Sequence, residues 1–282
     1  MSGYWSGVLA ILCINVIFAY SVFLPAAAGQ LNLGGGGFMA IGAYTAAYLN
    51  SELAYSVWVT IPAAMLLTGL VGFLIAFPIL RTRGVYMVLA TFAFAEIVSG
   101  IIINNEALGA ATGLSVPDYL GLGILAPFAV AVVIVVMYLM STRFGLAMRA
   151  VHDDENVATL FGVNIRLTQV ACFAIGGVFA GLAGALYAHQ YSFVEIQYFN
   201  VMVSIYVLLY VLIGGTQTPY GPLFGAVFFT LLPELMRVGA TWRYVIFGVF
   251  LVVIMIVRPE GVVTRTLLDR LSFRRAAKAG AP

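Results

Sequence analysis

The sequence contains few charged residues. Only 9% of its 282 residues are Asp, Glu, Lys or Arg, and the formal net charge is +2. Soluble domains usually carry about 25% charged residues, whereas here 63% of the residues are hydrophobic and the mean hydropathy is +1.06. Since roughly 20 apolar residues span a bilayer core, this content would fill about nine spans. The composition excludes a soluble domain, a nucleic-acid-binding protein and a disordered chain, and it indicates a polytopic membrane protein.

Residues for several chemistries are also scarce. Lys278 is the only lysine, so the chain has no GxxxxGK[S/T] phosphate-binding loop. Cys13 and Cys172 lie in apolar runs, where we expect small buried residues and not a disulfide. His152 and His189 have no Cys or His neighbour at metal-ligand spacing. We therefore expect no catalytic residue, no metal site and no cofactor bound by this chain itself.

Nine apolar runs are candidates for membrane segments. Because backbone groups find no water in the hydrocarbon core, each run is expected to form a helix. The predicted fold is an all-α bundle of about eight or nine membrane segments, in one transmembrane domain covering residues 1–282. The segments are 4–24, 31–50, 56–80, 85–103, 121–140, 167–189, 199–213, 219–236 and 241–257.

Two of these segments are interrupted or short. The second opens with Gly34, Gly35, Gly36 and Gly37, and the run 201–213 is short before it meets Gly214 and Gly215. Such segments in two halves of a chain point to a transport path near the membrane midplane. Flexible turns between complete spans would explain them equally well. The prediction is therefore one or two short or broken helices, with these six glycines as pathway candidates.

The distribution of Lys and Arg predicts the orientation, because positive loops stay in the cytoplasm. With the connection 141–166 placed inside, only Arg237 and Arg243 of the 13 basic residues fall outside. This predicts a cytoplasmic C-terminus and a basic tail, 258–282, that lies on anionic headgroups or docks a partner. The eleven predicted inner residues are Arg81, Arg83, Arg143, Arg149, Arg166, Arg258, Arg265, Arg270, Arg274, Arg275 and Lys278.

The connection 141–166 is the most polar stretch of the chain. Asp153 or Asp154 can cap a short helix there, and Gly162 is placed to end it. Within this 153–162 helix, Val157, Leu160 and Phe161 fall at i, i+3 and i+4 and form one apolar face. A helix of two to three turns is not stable alone. It is expected to pack on the protein's own inner surface, on headgroups or on a partner protein.

Glu96 is the exceptional charge within an apolar run. A carboxylate in the membrane is costly, so Glu96 should face the bundle interior or water. It could line a transport path, together with nearby Thr91, or make a structural hydrogen bond. The second role is the one that we expect.

Several fragments, taken together in order and spacing, resemble one known family. The loop 141–166 keeps the Ala158-to-Gly162 spacing of the degenerate EAA loop, the coupling element of ABC importer permeases. From about residue 24 to 262 the chain is similar to the M-type permease subunit of branched-chain amino acid ABC importers. The fragments are 31–34 (LNLG), 42–44 (GAY), 81–86 (RTRGVY), 91–96 (TFAFAE), 144–145 (FG) with 149–150 (RA), 181–187 (GLAGALY), 214–215 (GG) with 221–222 (GP), and 258–261 (RPEG).

The resemblance implies partners and a mechanism. It implies a bacterial inner-membrane importer containing a second, H-type permease, two cytoplasmic ATPase subunits that bind ATP and Mg, and a periplasmic solute-binding protein. It assigns ATPase coupling to the loop residues Asp153, Glu155, Val157, Ala158, Leu160, Phe161 and Gly162. The cargo implied is a branched-chain or other hydrophobic amino acid, or a related small amide such as urea. The chain departs from the EAA pattern at Asn156, where a glutamate is usual, although Glu155 is adjacent.

Two other transport classes stay open from the residues alone. A channel needs rings of carbonyl groups or of charged side chains. In this sequence only the glycine run 34–37 is consistent with such a ring. An ion-coupled secondary transporter for a small polar solute usually carries several intramembrane ionisable residues, whereas this chain has essentially Glu96. A membrane-embedded enzyme is disfavoured because no nucleophile–base pair lies within the predicted spans.

Overall fold

A computed structural model describes residues 2–235, 248, 252, 256 and 261–263. Ten α-helices and one two-stranded antiparallel pair are present among them, and short 3-10 turns flank the strands. The helices are α1 Ser2–Ala27, α2 Gly35–Ser51, α3 Val57–Ile79, α4 Val85–Ile103, α5 Leu122–Ser141, α6 Arg143–Asp153, α7 Glu155–Leu160, α8 Ile165–Tyr191, α9 Val201–Gly214 and α10 Tyr220–Leu235. The strands are β1 Leu114–Ser115 and β2 Phe193–Val194.

The all-α membrane bundle predicted from the sequence is confirmed. Each of the first eight predicted segments corresponds to a helix. In the described part of the chain, six helical stretches are long and apolar enough to cross a membrane: α1, α3, α4, α5, α8 and the stretch Ile196–Gly214 that contains α9. The helices α2, with 17 residues, and α10 are shorter. The ninth predicted segment, 241–257, and the tail 258–282 lie outside the described residues, apart from 248, 252, 256 and 261–263.

Helix α8 forms the centre of the bundle, where it packs against α1, α2 and α3. Small residues make this close packing possible, as they do between membrane helices generally. A Cβ at Gly42 of α2 would lie 2.5 Å from the Gly181 Cα of α8. A Cβ at Gly177 would lie 2.8 Å from the Thr68 carbonyl oxygen of α3. The glycines of α8 therefore allow two neighbouring backbones to approach it directly.

Helix α2 begins inside the bundle. The chain leaves α1 at Ala27, and Gly29 lies beside His152 of α6, at one end of the molecule. Residues 30–34 have no regular secondary structure, and the following residue, Gly35, lies against Phe18 and Val22, well inside α1. At its other end, α2 reaches the β1–β2 pair. The segment 31–50, predicted to be a short or broken helix, is thus a helix whose first turn is buried among the other helices.

A hydrogen-bond network closes the end of the bundle at the β1–β2 pair. The ring of His189, at the end of α8, bonds the Thr60 hydroxyl at 2.9 Å and the Asp118 carbonyl oxygen at 3.0 Å. Asn50 of α2 donates to the Asp118 carboxylate at 2.8 Å and to the Tyr55 carbonyl oxygen at 2.9 Å. This network fixes the loop between α4 and α5 onto α2, α3 and α8, so His189 has a structural role.

The opposite end of the bundle carries α6 and α7, and here the structure corrects one prediction. A single helix over 153–162 was expected, but Asp153 ends α6 and Asp154 separates it from α7. The backbone of Asp154 is extended, with φ −158° and ψ 112°, so no helix continues through it. Helix α6 was not predicted. Of the two capping residues that the sequence allowed, the structure uses Asp154, so Asp153 belongs to the end of α6 and α7 covers Glu155–Leu160.

Candidate functional site

Helix α7 is short, but both of its ends are fixed by local hydrogen bonds. The Asp154 carboxylate accepts hydrogen bonds from the backbone N–H groups of Asn156 at 2.8 Å and Val157 at 3.1 Å. At the other end, Gly162 has φ +78° and donates to the Thr159 carbonyl oxygen at 3.0 Å. These contacts are an N-cap and a glycine C-terminal motif, so the predicted cap and stop residues are confirmed.

The apolar residues of α7 project away from the bundle. The exposed fractions of Leu160 and Phe161 are 85% and 84%, and that of Val157 is 46%. Ala158, on the other side of the helix, is only 2% exposed where α7 packs on α6 and α8. The predicted apolar face is therefore confirmed, and it is not covered by the described part of this chain. A large exposed apolar pair on a capped helix is typical of a protein-interaction surface.

Glu155, the first residue of α7, connects the helix to its surroundings. Its carboxylate accepts a hydrogen bond from the Gln169 side chain of α8 at 3.0 Å. It also lies 3.8 Å from the Arg83 guanidinium, whose side chain is 90% exposed. An ion pair this exposed adds little stability. Glu155 thus orients α7 against the start of α8, while the apolar pair remains free for contact.

The glycines at the start of α2 are buried by close packing. A Cβ at Gly34 would lie 3.0 Å from the Thr91 carbonyl oxygen, and one at Gly37 would lie 2.8 Å from the Ala95 Cα of α4. A Cβ at Gly36 would lie 2.8 Å from the Phe199 carbonyl oxygen. These positions therefore need glycine because α4 and the start of α9 come too close for a side chain.

Polar side chains from distant helices satisfy the buried start of α2. The Ser204 hydroxyl of α9 accepts the Gly36 N–H at 2.7 Å, and the Thr91 hydroxyl of α4 accepts the Leu33 N–H at 3.0 Å. Asn32 accepts the Gly34 N–H at 2.7 Å. The first N–H groups of a helix have no partner within it, so a buried start requires such acceptors. Ser204 and Asn32 were not among the predicted site residues. The predicted pathway residue Thr91 is a buried hydrogen-bond acceptor in this structure.

Gly214 and Gly215 form a buried turn between α9 and α10. Gly215 has φ +112°, a conformation that favours glycine. A Cβ at Gly214 would collide with the Gly221 carbonyl group. The turn lies against α1, where the Tyr20 hydroxyl donates to the Pro219 carbonyl oxygen at 2.8 Å. In this structure both glycines serve the packing of two short helices.

Glu96 lies on a different kind of surface from the glycines. It is on the exposed face of α4, and the described residues provide no hydrogen bond to its carboxylate. The structural hydrogen bond expected for it is therefore not found. Ala93 is exposed on the same face, and nothing lies within 4 Å of where a Gly100 side chain would begin. Among the pathway candidates, Glu96 alone is exposed at the surface of this chain.

An aromatic cavity of about 230 Å³ lies between α1, α2, α8 and α9. The rings of Tyr187 and Phe199 in its wall have their centroids 5.4 Å apart. None of the pathway glycines lines it. Its lining residues are Ile11, Ile14, Asn15, Phe18, Met39, Tyr187, Tyr191, Tyr198, Phe199 and Val203.

The described arginines lie at one end of the bundle, while the described acidic residues occur at both ends, with Asp153, Asp154 and Glu155 at the α6–α7 end. All the arginines in the described part of the chain lie at the α6–α7 end: Arg81, Arg83, Arg143, Arg149 and Arg166. The acidic residues Glu52, Glu106, Asp118 and Glu195 lie near the β1–β2 pair. The predicted segments, which cross the membrane in alternating directions, therefore place these residues at the same two ends as the structure does.

Comparison with known proteins identifies the family. Residues 4–257 match the family model described as branched-chain amino acid transport system / permease component. The chain is 32% identical to the high-affinity branched-chain amino acid transport system permease protein LivM of Escherichia coli, over 95% of this chain and 70% of that protein. No solved structure matches the chain.

More distant relatives show how far the similarity extends. The probable branched-chain amino acid transport permease protein LivM of Methanocaldococcus jannaschii is 24% identical over 81% of this chain and 76% of its own length. The autoinducer 2 import system permease protein LsrC of Salmonella typhi is 26% identical over 75% of this chain and 58% of its own length. The family model and the 32% identity cover nearly the whole chain. The chain is a LivM-like protein and belongs to the family of branched-chain amino acid transport permeases.

Proposed function

We propose that this chain is the membrane permease subunit of an ATP-driven importer, powered through the exposed face of α7. The observation that carries this proposal is the pair Leu160 and Phe161, which are 85% and 84% exposed on a helix capped at both ends. Such exposed apolar side chains would form the docking surface, and force applied there would pass to α6 and α8, on which α7 packs.

The proposed partner at this surface is a cytoplasmic ATPase subunit. The chain contains no GxxxxGK[S/T] motif, and the proposal therefore assigns ATP binding to another protein. Two such subunits would bind ATP and Mg, and this chain would bind no cofactor. Asp153, Glu155 and Gly162 would serve coupling indirectly. They set where α6 ends, how α7 is held against α8, and where α7 stops.

The proposed cargo is a branched-chain or similar hydrophobic amino acid, carried from the periplasm to the cytoplasm. The support is the 32% identity to the LivM protein of Escherichia coli over 95% of this chain. A relative named for autoinducer 2 import, at 26% identity, shows that the similarity alone does not fix the cargo. Uptake measurements with several solutes are therefore part of the test.

The proposed route for the cargo follows the exposed face of α4. A carboxylate that faces lipid is costly. We therefore propose that a second, H-type permease covers the face of α4 that carries Glu96, with water between the two subunits. Ala93 and Gly100 leave space beside the carboxylate. The buried glycines of α2 and of the α9–α10 turn would then shape the bundle behind this route.

The proposed orientation places α7 in the cytoplasm of a bacterial cell, with the protein in the inner membrane. The segregation of the described arginines to the α6–α7 end supports it, because cytoplasmic loops retain positive charge. A C-terminus in the cytoplasm follows from the same alternation. A periplasmic solute-binding protein would then deliver cargo at the end that carries the β1–β2 pair.

The test is solute uptake by proteoliposomes that contain both permeases, the ATPase subunits and the solute-binding protein. We expect ATP-dependent accumulation of leucine, isoleucine or valine. The double variant Leu160→Asp/Phe161→Asp should lower uptake by more than about tenfold, because charge replaces the docking surface. Leu146→Asp, a change at an exposed leucine of α6, is the matched control and should keep uptake.

Three results would contradict the proposal. They are normal uptake by the double variant, accumulation without the ATPase subunits, and accumulation driven by an ion gradient in the absence of ATP. The α4 route has its own variant, Glu96→Leu, which should reduce uptake while the complex still assembles. The control is Ile101→Leu, on an exposed position of the same helix. Full uptake by Glu96→Leu would mean that this face meets lipid.

A further inference from the structure

A cleft of about 400 Å³ lies beside α7, at the junction of three interhelical connections. We call it the arginine pocket. The α1–α2 and α3–α4 connections, the first residue of α7 and the start of α8 form its wall. The lining residues that matter for its chemistry are Gln30, Arg81, Arg83, Glu155, Ile165 and Arg166.

The pocket carries an excess of positive charge. Arg81, Arg83 and Arg166 face one carboxylate, that of Glu155. Glu155 pairs with Arg83 at 3.8 Å, and no carboxylate of the described residues lies within 4.0 Å of the Arg81 or Arg166 guanidinium. Guanidinium groups bind phosphate and carboxylate in a bidentate geometry. Two arginines are therefore available for an anion.

Two helix starts add to this potential. Helix α4 begins at Val85, directly after Gly84 in the pocket wall, and α8 begins at Ile165 in the same wall. The N-terminus of a helix carries partial positive charge and favours anions. The start of α4 has no side-chain cap, whereas at α8 the Asn164 side chain accepts the Leu167 N–H at 3.0 Å. Both helices exceed 18 residues. Their starts reinforce the arginines at one place.

An unpartnered amide lines the same pocket. Gln30 is 1% exposed, yet neither its Nε2 nor its Oε1 atom has a hydrogen-bond partner in the described part of the chain. A buried polar group without a partner costs free energy unless a ligand or water satisfies it. The Gln30 amide is a donor that an anion in the pocket can use.

The surface next to the pocket indicates where such an anion comes from. Five apolar side chains of α3 form an exposed stripe that ends at the pocket: Leu66, Leu70, Phe73, Leu74 and Phe77. The Arg166 guanidinium lies over the Phe77 ring, 5.7 Å from its centroid. The stripe and the arginines together match a phospholipid, with acyl chains along α3 and the phosphate in the pocket. Basic pockets between membrane helices bind anionic headgroups in this way.

We propose that the arginine pocket binds a phosphate-bearing anion, with the headgroup of an anionic phospholipid as the source that the α3 stripe favours. A soluble phosphate is the other source of the same chemistry. The site shares Glu155 with α7, so the bound anion competes with Glu155 for Arg83. It therefore lies where it can influence how α7 is held.

The test measures thermal unfolding of the full-length chain in detergent micelles and its retention of lipid by native mass spectrometry. The probes are phosphatidylglycerol, phosphatidylcholine and inorganic phosphate, each added separately. We expect phosphatidylglycerol, and not the neutral phosphatidylcholine, to raise the melting temperature by several degrees. The double variant Arg81→Gln/Arg166→Gln should retain phosphatidylglycerol about tenfold less, since it loses two charge-assisted contacts.

Controls separate the pocket from general charge effects. Arg143→Gln removes an exposed arginine at the same end, outside the pocket, and should retain phosphatidylglycerol as the unmodified chain does. If the double variant fails to fold, the single change Arg166→Gln gives the same comparison. If inorganic phosphate raises the melting temperature of the unmodified chain but not that of the variants, the site binds a soluble anion. Equal retention by the variants, or an equal effect of phosphatidylcholine, would overturn the proposal.

Discussion

The starts of α2 and α7 solve the same problem in opposite surroundings. Each helix begins with backbone N–H groups that have no partner within the helix. At α7, Asp154 provides the acceptor from the preceding position, and the helix lies at the surface. At α2, the Ser204 hydroxyl of α9 accepts the Gly36 N–H, the Thr91 hydroxyl of α4 accepts the N–H of Leu33 just before the helix, and the first turn is fully buried.

The difference shows that some helix starts in this bundle are stabilised by residues nearby in the chain and others by residues on distant helices. The ends of α7 are fixed by residues next to them in the chain, and only its Ala158 side packs on α6 and α8, so its apolar face can be free for contact with another protein. The start of α2 keeps its shape only while α4 and α9 are in place. Damage to α2 is therefore expected to destabilise the whole bundle, whereas damage to α7 should leave the bundle intact and remove a surface.

The largest effect is expected from Gly36→Val. The new side chain would begin 2.8 Å from the Phe199 carbonyl oxygen and 2.9 Å from the Ser204 hydroxyl, so backbone has to move. Overpacking of this kind should lower the free energy of unfolding by about 3 kcal/mol. The measurement is the melting temperature of the purified chain in detergent. Gly100→Val is the control, since nothing lies within 4 Å of that position, and an equal loss there would contradict the packing argument.

A smaller effect is expected from Ser204→Ala. The change leaves the buried Gly36 N–H without its acceptor and should cost about 1–3 kcal/mol. Ser141→Ala is the matched control, because Ser141 is exposed and bonds only a carbonyl group of its own helix. Chemical unfolding of the two variants in detergent makes the comparison. If both variants unfold alike, the Ser204 contact does not hold the start of α2.

The smallest effect is expected from Asp154→Ala. Loss of the cap should destabilise α7 by about 1 kcal/mol. The backbone amide hydrogens of Asn156 and Val157 should therefore exchange with solvent about five times faster. The melting temperature should not change, because α7 contributes little to the core. Asp154→Asn keeps an acceptor and should restore slow exchange. A global loss of stability in Asp154→Ala would remove the distinction between the two helix starts.

Much of the α7 end could be predicted from the sequence because its determinants are neighbours in the chain. A capping aspartate, an apolar i, i+3, i+4 set and a terminating glycine all lie within ten residues, and the structure contains each of them. The sequence allowed Asp153 or Asp154 as the cap, and the structure uses Asp154. The preceding helix, α6, was not predicted.

The role of the α2 glycines could not be predicted in the same way. Four consecutive glycines indicate an unusual segment, but whether they line a path or permit close packing depends on which helices approach them. Those neighbours, around Ala95 and Phe199, lie far along the chain. For a related reason, the structural hydrogen bond expected for Glu96 is not found among the described residues. Hydropathy places it within a span, but only the fold shows which face of α4 it occupies.

The most direct test of the central claim is co-purification of the ATPase subunits with this chain. The unmodified permease pair should retain both ATPase subunits through gentle solubilisation and affinity purification. Leu160→Asp/Phe161→Asp should fold normally, keep its second permease and lose the ATPase subunits. Full retention of the ATPase subunits by that variant would show that they dock elsewhere and would contradict the account.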